Sequence, residues 1–251
     1  MPAEDRVVAP PSLLNPEVYD CGESAILVDF GAGYSKSISL AILQISERLH
    51  GSHLEGYRES IPAVTSLTIS YDPLVLSKER LVAAIESACA TPLGTGAASR
   101  LWIIPCVYGG ASGPDLGDIA RAARLSETEA AGLHASETYV VSMLGFLPGF
   151  AYLVELPERL RVPRRATPRA RIPAGSIAIA ADMTAIYPLE SPGGWHLIGW
   201  TPVPMWDMAR RDEPLLRPGD RVRFRAIDAG ESETLRARVA EGWMPKPEDV
   251  A

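Results

Sequence analysis

The first part of the chain alternates apolar and polar positions with the periods of strands and helices. Residues 25–30 (AILVDF) read as a strand, and apolar residues then recur at helical spacing between Ile38 and Leu49. Residues 66–71 (SLTISY) alternate as a second strand, and Ser77 is placed to cap the helix that follows. Strands and helices in this order predict a small α+β domain.

The second part has a different pattern. Residues 101–108 (LWIIPCVY) read as a strand, and residues 115–135 read as two short helices, the second opening with Ser126 and Glu129 at capping-box spacing. From Tyr139 onward, proline or glycine interrupts short apolar runs about every eight to twelve residues. This pattern is typical of a closed or sandwiched antiparallel sheet.

A domain boundary is predicted in the segment 91–99 (TPLGTGAAS), which has the small, uncharged composition of a linker. It separates the small α+β domain at 18–95 from the sheet domain at 96–240. The proline-rich residues 1–17 are predicted to form a flexible arm, and residues 241–251 a tail. The predicted fold class is therefore α+β.

Charge and cysteine spacing exclude several function classes. The net charge of −7 argues against a nucleic-acid or membrane-surface binder, because such proteins carry an excess of Lys and Arg. The helix pair at 115–135 superficially resembles a helix-turn-helix, but acidic residues dominate its charge. The three cysteines form no CxxC or Cys/His pattern, so no metal site is expected. No stretch reaches the length of a membrane span, and we expect a cytoplasmic protein without nucleic-acid or membrane partners.

Three segments carry candidate chemistry, and the first is GFLPGFAY at residues 145–152. Glycines permit close backbone approach, and aromatic rings supply a flat apolar wall, so the loop suits a planar ligand. The alternative is a tight barrel corner packed by its own aromatic residues.

The second segment is RLRVPRRATPRAR at residues 159–171, which holds six arginines and no acid. Guanidinium groups make bidentate hydrogen bonds to carboxylates or phosphates. The prolines restrict the backbone, so less entropy is lost when the arginines bind such a group. We expect an anion or an acidic partner surface here. The alternative is a strand edge whose arginines pair with the chain's surplus Asp and Glu.

The third segment is YPLESPGGWH at residues 187–196, which brings together a carboxylate, a hydroxyl, two glycine amides and an imidazole. Such a set offers a proton acceptor and oxyanion donors. Glu190 and His196 are therefore candidate catalytic residues, as is His134 after the second short helix. A structural histidine is the alternative in both cases.

Two familiar patterns are absent from the sequence. It contains no GxxxxGK[ST] loop, so any ATP site is not of the P-loop kind. It contains no GxSxG elbow that would support a Ser-His-Asp hydrolase.

Several long motifs in a fixed order resemble one family over nearly the whole chain. They are YGGASGPDL (108–116), HASETYVVSMLGFLPGFAYL (134–153), PRRATPRARIPAGSIAIA (163–180), TAIYPLESPGGWHLIGWTP (184–202) and LLRPGDRVRF (215–224). These segments resemble the allophanate hydrolase subunit 1 group, which includes the 5-oxoprolinase B subunit and the sporulation kinase inhibitor KipI.

The resemblance implies a small α+β domain followed by a cyclophilin-like antiparallel β-barrel. It implies two partners, a C subunit homologous to this chain and an A subunit, and it implies ATP with Mg, which a partner could hold. The assembly would open 5-oxoproline, a small anionic cyclic amide, to L-glutamate, and this chain alone would be inactive.

The resemblance also implies a substrate site. Its first side would be Gly145, Phe146, Pro148, Gly149, Phe150 and Tyr152, with Arg165, Thr167, Arg169 and Pro173 beside it. Its other side would be Glu190, Ser191, Pro192, Gly193, Gly194 and Trp195.

The chain departs from the family pattern in two places. Ala181, Asp182 and Met183 stand where relatives have a glycine-rich turn with glutamine, and Ala185 replaces a glycine. Loss of an amide side chain removes a donor and an acceptor, so the substrate could differ from 5-oxoproline. Val64 and Thr65 stand where relatives often carry a Tyr-Arg pair.

Two other functions within the same family are alternatives. One is a KipI-like inhibitor that docks on a sensor histidine kinase and needs no catalytic group. The other is half of a biotin-dependent carboxyltransferase of urea or allophanate metabolism, which requires a biotinylated partner because this chain has no biotin-attachment segment.

Overall fold

The computed structural model describes residues 16–31, 35–92, 99–208 and 213–250. The chain divides into two compact units, the first reaching residue 97 and the second starting at residue 98. Most of the predicted arm and most of the predicted linker lie outside the described residues.

The first unit contains a four-stranded antiparallel sheet in the order β1-β2-β4-β3. The strands are β1 (Glu17–Asp20), β2 (Ala25–Asp29), β3 (Tyr57–Pro62) and β4 (Ser66–Tyr71). The helices are α1 (Lys36–Gly51) and α2 (Lys78–Ala90).

Apolar periodicity accounts for this layer. The inward residues of β2 and β4, such as Ile26 and Ile69, form one core with Ile42 and Ile45 of α1. The Ser77 hydroxyl accepts a hydrogen bond from the Arg80 N–H, so the predicted helix cap is confirmed. β3 was not predicted from the sequence, because its polar sequence YRESIP suits the exposed edge that it occupies.

The second unit is built mainly from strands. They are β5 (Ser99–Tyr108), β6 (Thr138–Leu144), β7 (Ala151–Val154), β8 (Arg169–Ile172), β9 (Ser176–Ala180), β10 (Met183–Ile186), β11 (Ser191–Gly193), β12 (His196–Trp200), β13 (Arg221–Ala226) and β14 (Glu248–Val250). The helices are α3 (Leu116–Ala123), α4 (Glu127–Ser136) and α5 (Ala229–Ala240), with a short 3-10 helix at Glu158–Leu160.

Seven of these strands close into a barrel. The sheet order is β12-β9-β10-β7-β6-β13-β5, and β12 pairs back with β5. The predicted α+β fold with a closed barrel is confirmed. The prediction of a wholly antiparallel barrel needs one correction, because β5 and β13 run parallel. A closed ring with an odd number of strands cannot alternate direction throughout, so one pair must be parallel.

Two further features of the second unit bear on the site. β8 and β11 form a separate two-stranded sheet, which places the arginine-rich segment beside residues 191–193. β14 pairs with β5 and lies within residues 241–251, which the sequence analysis assigned to a tail. The predicted capping box of Ser126 and Glu129 is present at the start of α4.

Candidate functional site

Five aromatic rings form the centre of the candidate site, and we call them the aromatic wall. Phe150 is 2% exposed, and its ring centroid lies 5.4 Å from Phe146, 4.9 Å from Tyr152, 5.2 Å from Tyr187 and 6.0 Å from Trp195. Most of these contacts are edge-to-face, the arrangement that aromatic quadrupoles favour. Phe146 and Phe150 come from the loop between β6 and β7, Tyr152 from β7, and the other two rings from the residues that follow β10 and precede β12, so the barrel sets their spacing.

A tight loop presents the first part of the wall. The Gly145 N–H donates to the Phe150 carbonyl at 3.1 Å, which closes the loop. Gly149 has φ +78°, and a Cβ there would lie 3.1 Å from the Met205 carbonyl oxygen, so glycine is required. Phe146 also has positive φ, at +68°, and remains 59% exposed.

Asp115 organises the arginines beside the wall, and we call this arrangement the arginine clasp. Arg169 donates to both carboxylate oxygens at 2.8 Å, and Arg165 donates to Oδ1 at 3.1 Å. The Leu197 N–H donates to Oδ2 at 2.7 Å. Burial would raise the pKa of the Asp115 carboxyl, but the hydrogen bonds from Arg169 and Leu197 outweigh it, so the pKa is lowered.

Sequence reasoning did not identify Asp115 as a site residue. The carboxyl is 50 residues from Arg165 and 54 from Arg169 in the chain. A signal was present, because a segment with six arginines and no acid needs an acid from elsewhere if it is to be buried. The structure therefore shows that part of the arginine segment pairs with the chain's own acids.

The structure brings the three predicted segments together. Gly193 lies opposite Arg169 in the β8–β11 register, and the Arg165 N–H donates to the Gly194 carbonyl at 2.8 Å. The ring of Trp195 then packs on Phe150 and on Tyr152, at 5.9 Å from the latter. The loop, the arginines and the SPGGWH segment thus border one site.

Gly193 also packs against Tyr187. A Cβ at Gly193 would collide with the Tyr187 hydroxyl and lie 2.8 Å from Cδ1 of Ile172. Burial raises the pKa of Tyr187 to about 12, and burial also raises the pKa of Tyr152. Both phenols are therefore neutral near pH 7, and Tyr152 is the one placed to donate a hydrogen bond to an anionic ligand, because it is half-buried whereas Tyr187 is 1% exposed.

Glu190 and His196 lie at the border of the site. Glu190 Oε1 lies 2.7 Å from Arg171 Nε, and both side chains are exposed. His196 Nε2 lies 3.0 Å from the Pro163 carbonyl oxygen and donates to it. Their predicted catalytic roles stay predictions.

The remaining predicted residues differ in accessibility. The Ser191 hydroxyl is buried and has no hydrogen-bond partner. Four others are exposed, namely Pro148, Thr167, Pro173 and Pro192.

His134 does not lie with the other predicted residues. Its ring is fully buried, with Nδ1 2.6 Å from the Tyr108 hydroxyl and Nε2 2.9 Å from Thr184 Oγ1. Thr184 uses its own proton on the Ala178 carbonyl, so Nε2 donates and Nδ1 accepts. Burial lowers the pKa of His134 to about 3. A neutral, satisfied and inaccessible ring is unsuited to exchanging protons with a substrate, so the geometry argues against the predicted catalytic role.

One departure from the family pattern, Ala185, lies next to the wall. Ala181 and Asp182 form the two-residue connection between β9 and β10, with Ala181 at φ +52°. Met183 and Ala185 are buried in β10, and Ala185 lies opposite Tyr152. Their predicted effect on the substrate stays a prediction.

Two features are absent from the part of the chain that the structure describes. No helix there has the length and apolar character needed to cross a bilayer. No group of three or more His, Cys, Asp or Glu residues there is placed to hold a metal ion.

Comparison with known proteins places this site in a family context. Residues 16–217 match the family model described as "Carboxyltransferase domain, subdomain C and D". The chain is 42% identical to the B subunit of 5-oxoprolinase from Escherichia coli O157:H7, over 82% of this chain and 94% of that protein.

Two solved structures extend the comparison. A protein named TTHA0988 is 38% identical with a TM-score of 0.71, over 82% of this chain. The urea amidolyase of K. lactis has a TM-score of 0.78 over 97% of this chain at 21% identity, which shows the fold alone. This chain spans 40% of the length of TTHA0988 and 17% of the urea amidolyase.

Proposed function

Because the chain belongs to the family of carboxyltransferase domains, subdomain C and D, we propose that it is the B subunit of an ATP-dependent 5-oxoprolinase. In this proposal it works with an A subunit and a homologous C subunit in the cytoplasm. Together they open the ring of 5-oxoproline with water to give L-glutamate, and the chain has no activity alone.

One observation carries the proposal. The 42% identity with the E. coli 5-oxoprolinase B subunit extends over 94% of that protein's length. A match of this extent includes all three segments that border the site, and it contrasts with the urea amidolyase, where 21% identity supports only a common fold.

The geometry of the site suits the proposed substrate. 5-Oxoproline is a small flat ring with an amide and a carboxylate. Within the aromatic wall, the exposed Phe146 and the half-buried Tyr152 offer an apolar face for the ring, and the neutral phenol of Tyr152 offers a donor. The arginine-rich segment beside the wall supplies positive charge for the carboxylate.

Ring opening requires activation because an amide is a poor electrophile, and ATP supplies that activation in the proposed reaction. The described residues have no cluster of acids suited to Mg. The sequence has no P-loop either. In this proposal a partner subunit holds ATP and Mg, and this chain contributes substrate binding.

The E. coli relative is named as the B subunit of its enzyme, which implies that the enzyme has other subunits. TTHA0988 is a longer chain, of which this chain matches 40%. Both observations support a site that is completed by a partner.

The test is ATP-dependent release of L-glutamate from 5-oxoproline. The chain is co-purified with the proposed A and C subunits, and the same mixture without this chain is the control. We expect glutamate and ADP in equal amounts from the complete mixture only. A stable three-subunit complex that releases no glutamate would refute the proposed substrate, and activity without this chain would refute its role.

A further inference from the structure

The six arginines of residues 159–171 do not share one role. Arg159 donates to the Ala123 carbonyl, Arg161 to the Leu156 carbonyl, Arg165 and Arg169 to Asp115, and Arg171 pairs with Glu190. Arg164 differs, because within the described part of the chain it has neither a hydrogen bond nor an ion pair. Its guanidinium group is therefore available to a ligand.

Asp115 cannot also pair with Arg164, because its carboxylate already accepts four hydrogen bonds. Asp115 Oδ1 accepts from Arg165 and Arg169, and Oδ2 accepts from Arg169 and from the Leu197 N–H. A carboxylate has about four lone-pair positions, so none remains for a third arginine. Among the residues that the structure describes, Arg164 has no acidic partner, although the whole chain has 31 acidic residues against 24 basic ones.

The backbone on both sides of Arg164 is anchored. The Pro163 carbonyl accepts from His196 at 3.0 Å, and the Arg165 N–H donates to the Gly194 carbonyl at 2.8 Å. The proline ring restricts the backbone immediately before Arg164. This segment therefore runs alongside residues 194–196, and less entropy is lost when the side chain orders on a ligand.

The anchored backbone places Arg164 beside Trp195, whose ring is part of the aromatic wall and packs on Tyr152. In agreement with this placement, the positive charge of Arg164 opposes the rise in the pKa of Tyr152 and Tyr187 that burial causes. A cation and the half-buried Tyr152 hydroxyl beside the ring of Trp195 form a set that binds a carboxylate attached to a small ring.

We propose that Arg164 binds the carboxylate of the substrate and selects rings that carry one, while Asp115 positions Arg165 and Arg169 beside it. This inference rests on the proposed function. It makes Arg164 a specificity-determining residue and Asp115 a positioning residue. A neutral cyclic amide such as 2-pyrrolidinone has no carboxylate, so Arg164 does not strengthen its binding.

The test uses the three-subunit complex and measures kcat, KM for 5-oxoproline and KM for ATP. Arg164→Met removes the charge and keeps most of the side-chain length. Arg164→Lys restores the charge without the fork. Arg223→Met is the control, because Arg223 is an exposed arginine of the same unit whose only hydrogen-bond partner among the described residues is Thr138.

We expect Arg164→Met to raise KM for 5-oxoproline about 10- to 100-fold, the usual loss for a charge-assisted bond. Arg164→Lys recovers part of this loss, and Arg223→Met stays within about twofold of wild type. Competitive inhibition by 2-pyrrolidinone, which has no carboxylate, stays unchanged in Arg164→Met.

Three results would overturn the inference alone, namely an unchanged KM for 5-oxoproline, a fall confined to kcat, or a rise in KM for ATP instead. A wild-type complex that does not turn over 5-oxoproline would refute the proposed function, and the inference with it. Because Arg164 is exposed, its variants should unfold at the same urea concentration as wild type, which tryptophan fluorescence checks.

Discussion

The two units of the chain are stabilised in different ways. Among the described residues, the first unit buries a continuous apolar core in which Ser39 is the one buried polar residue. In the described part of the second unit, two carboxylates and one imidazole, those of Asp115, Asp220 and His134, are buried, and each is held by several hydrogen bonds. Apolar burial suffices to hold a layer of sheet and helices, whereas the barrel uses buried polar groups to set particular contacts.

Asp220 shows what such a group does in the barrel. Its carboxylate accepts from Arg100 at 2.8 and 2.6 Å and from the Trp102 indole at 3.0 Å. Both partners lie on β5, and Asp220 immediately precedes β13. The bidentate ion pair of Arg100 and Asp220 thus links β5 and β13, the one parallel pair of the barrel. Asp115 acts in the same manner on the arginine segment.

The largest expected effect comes from Asp115→Asn. The Asp115 side chain is 7% exposed, and its substitution leaves Arg165 and Arg169 without a negative partner at a buried position. We expect the free energy of unfolding to fall by about 2–4 kcal/mol, somewhat below the range for fully buried pairs because the arginines keep partial solvent contact. Tryptophan fluorescence in urea reports on the second unit alone, since all 5 tryptophans follow residue 100.

Asp118→Asn is the matched control for this prediction. Asp118 also pairs with an arginine, Arg121, but both side chains are more than two-thirds exposed, at 74% and 79%. Its removal should change stability by less than about 1 kcal/mol. Equal effects of the two substitutions would mean that the arginine clasp does not stabilise the barrel.

The next effect is a loss of stability in mild acid. The pKa of His134 is lowered by burial to about 3, so below pH 6.5 the unfolded chain takes up a proton that the folded barrel excludes. Stability present above pH 6.5 is therefore lost as the pH falls towards 3, at about 1.4 kcal/mol per pH unit. Urea unfolding at pH 6.5 and 4.5 should differ by about 2–3 kcal/mol for the second unit.

His134→Gln should remove this pH dependence, while His196→Gln at the exposed border should retain it. If His134→Gln does not fold, the ring nitrogen resonances of the wild-type protein provide the measurement. A protonated His134 ring at pH 5 in the folded protein would contradict the prediction.

An intermediate effect is expected for Gly193→Ala. The new Cβ would meet the Tyr187 hydroxyl and Ile172, so the aromatic wall must shift, at about 1–3 kcal/mol. At Gly194 the nearest atom to a new Cβ is 3.7 Å away, in Pro168, and Gly194→Ala should change stability by less than about 1 kcal/mol. Equal urea midpoints for the two variants would show that the Gly193 contact is not tight.

The smallest effect on stability is expected for Glu190→Gln. Its partner Arg171 is 78% exposed, so loss of the ion pair should change unfolding by less than about 1 kcal/mol. If Glu190 accepts a proton, kcat of the complex falls by about 100-fold or more. Arg171→Met breaks the same pair and keeps the carboxylate, so equal kcat in the two variants would exclude that role.

Part of the fold and of the site was predictable from the sequence. The strand at 66–71 and the helix caps at Ser77 and Ser126 were predicted correctly, because alternation and capping depend on neighbours within a few residues. The aromatic residues of the 145–152 segment predicted an apolar wall, and three of them belong to the aromatic wall. Asp115 was not predicted as a site residue, and His134 was predicted to be catalytic although its ring is buried. Both environments come from strands far away in the chain.

By itself the sequence determined the α+β class, the caps and the segments that border the site, since these follow from local periodicity and composition. Only the tertiary structure decided which charges pair and which remain free. Barrel closure brings Asp115 within reach of arginines 50 and 54 residues away, and four hydrogen bonds then saturate its carboxylate. Asp115 therefore has no position left for Arg164, which has no ion-pair partner among the described residues. Such a choice among six similar arginines depends on distances in space that local sequence does not encode.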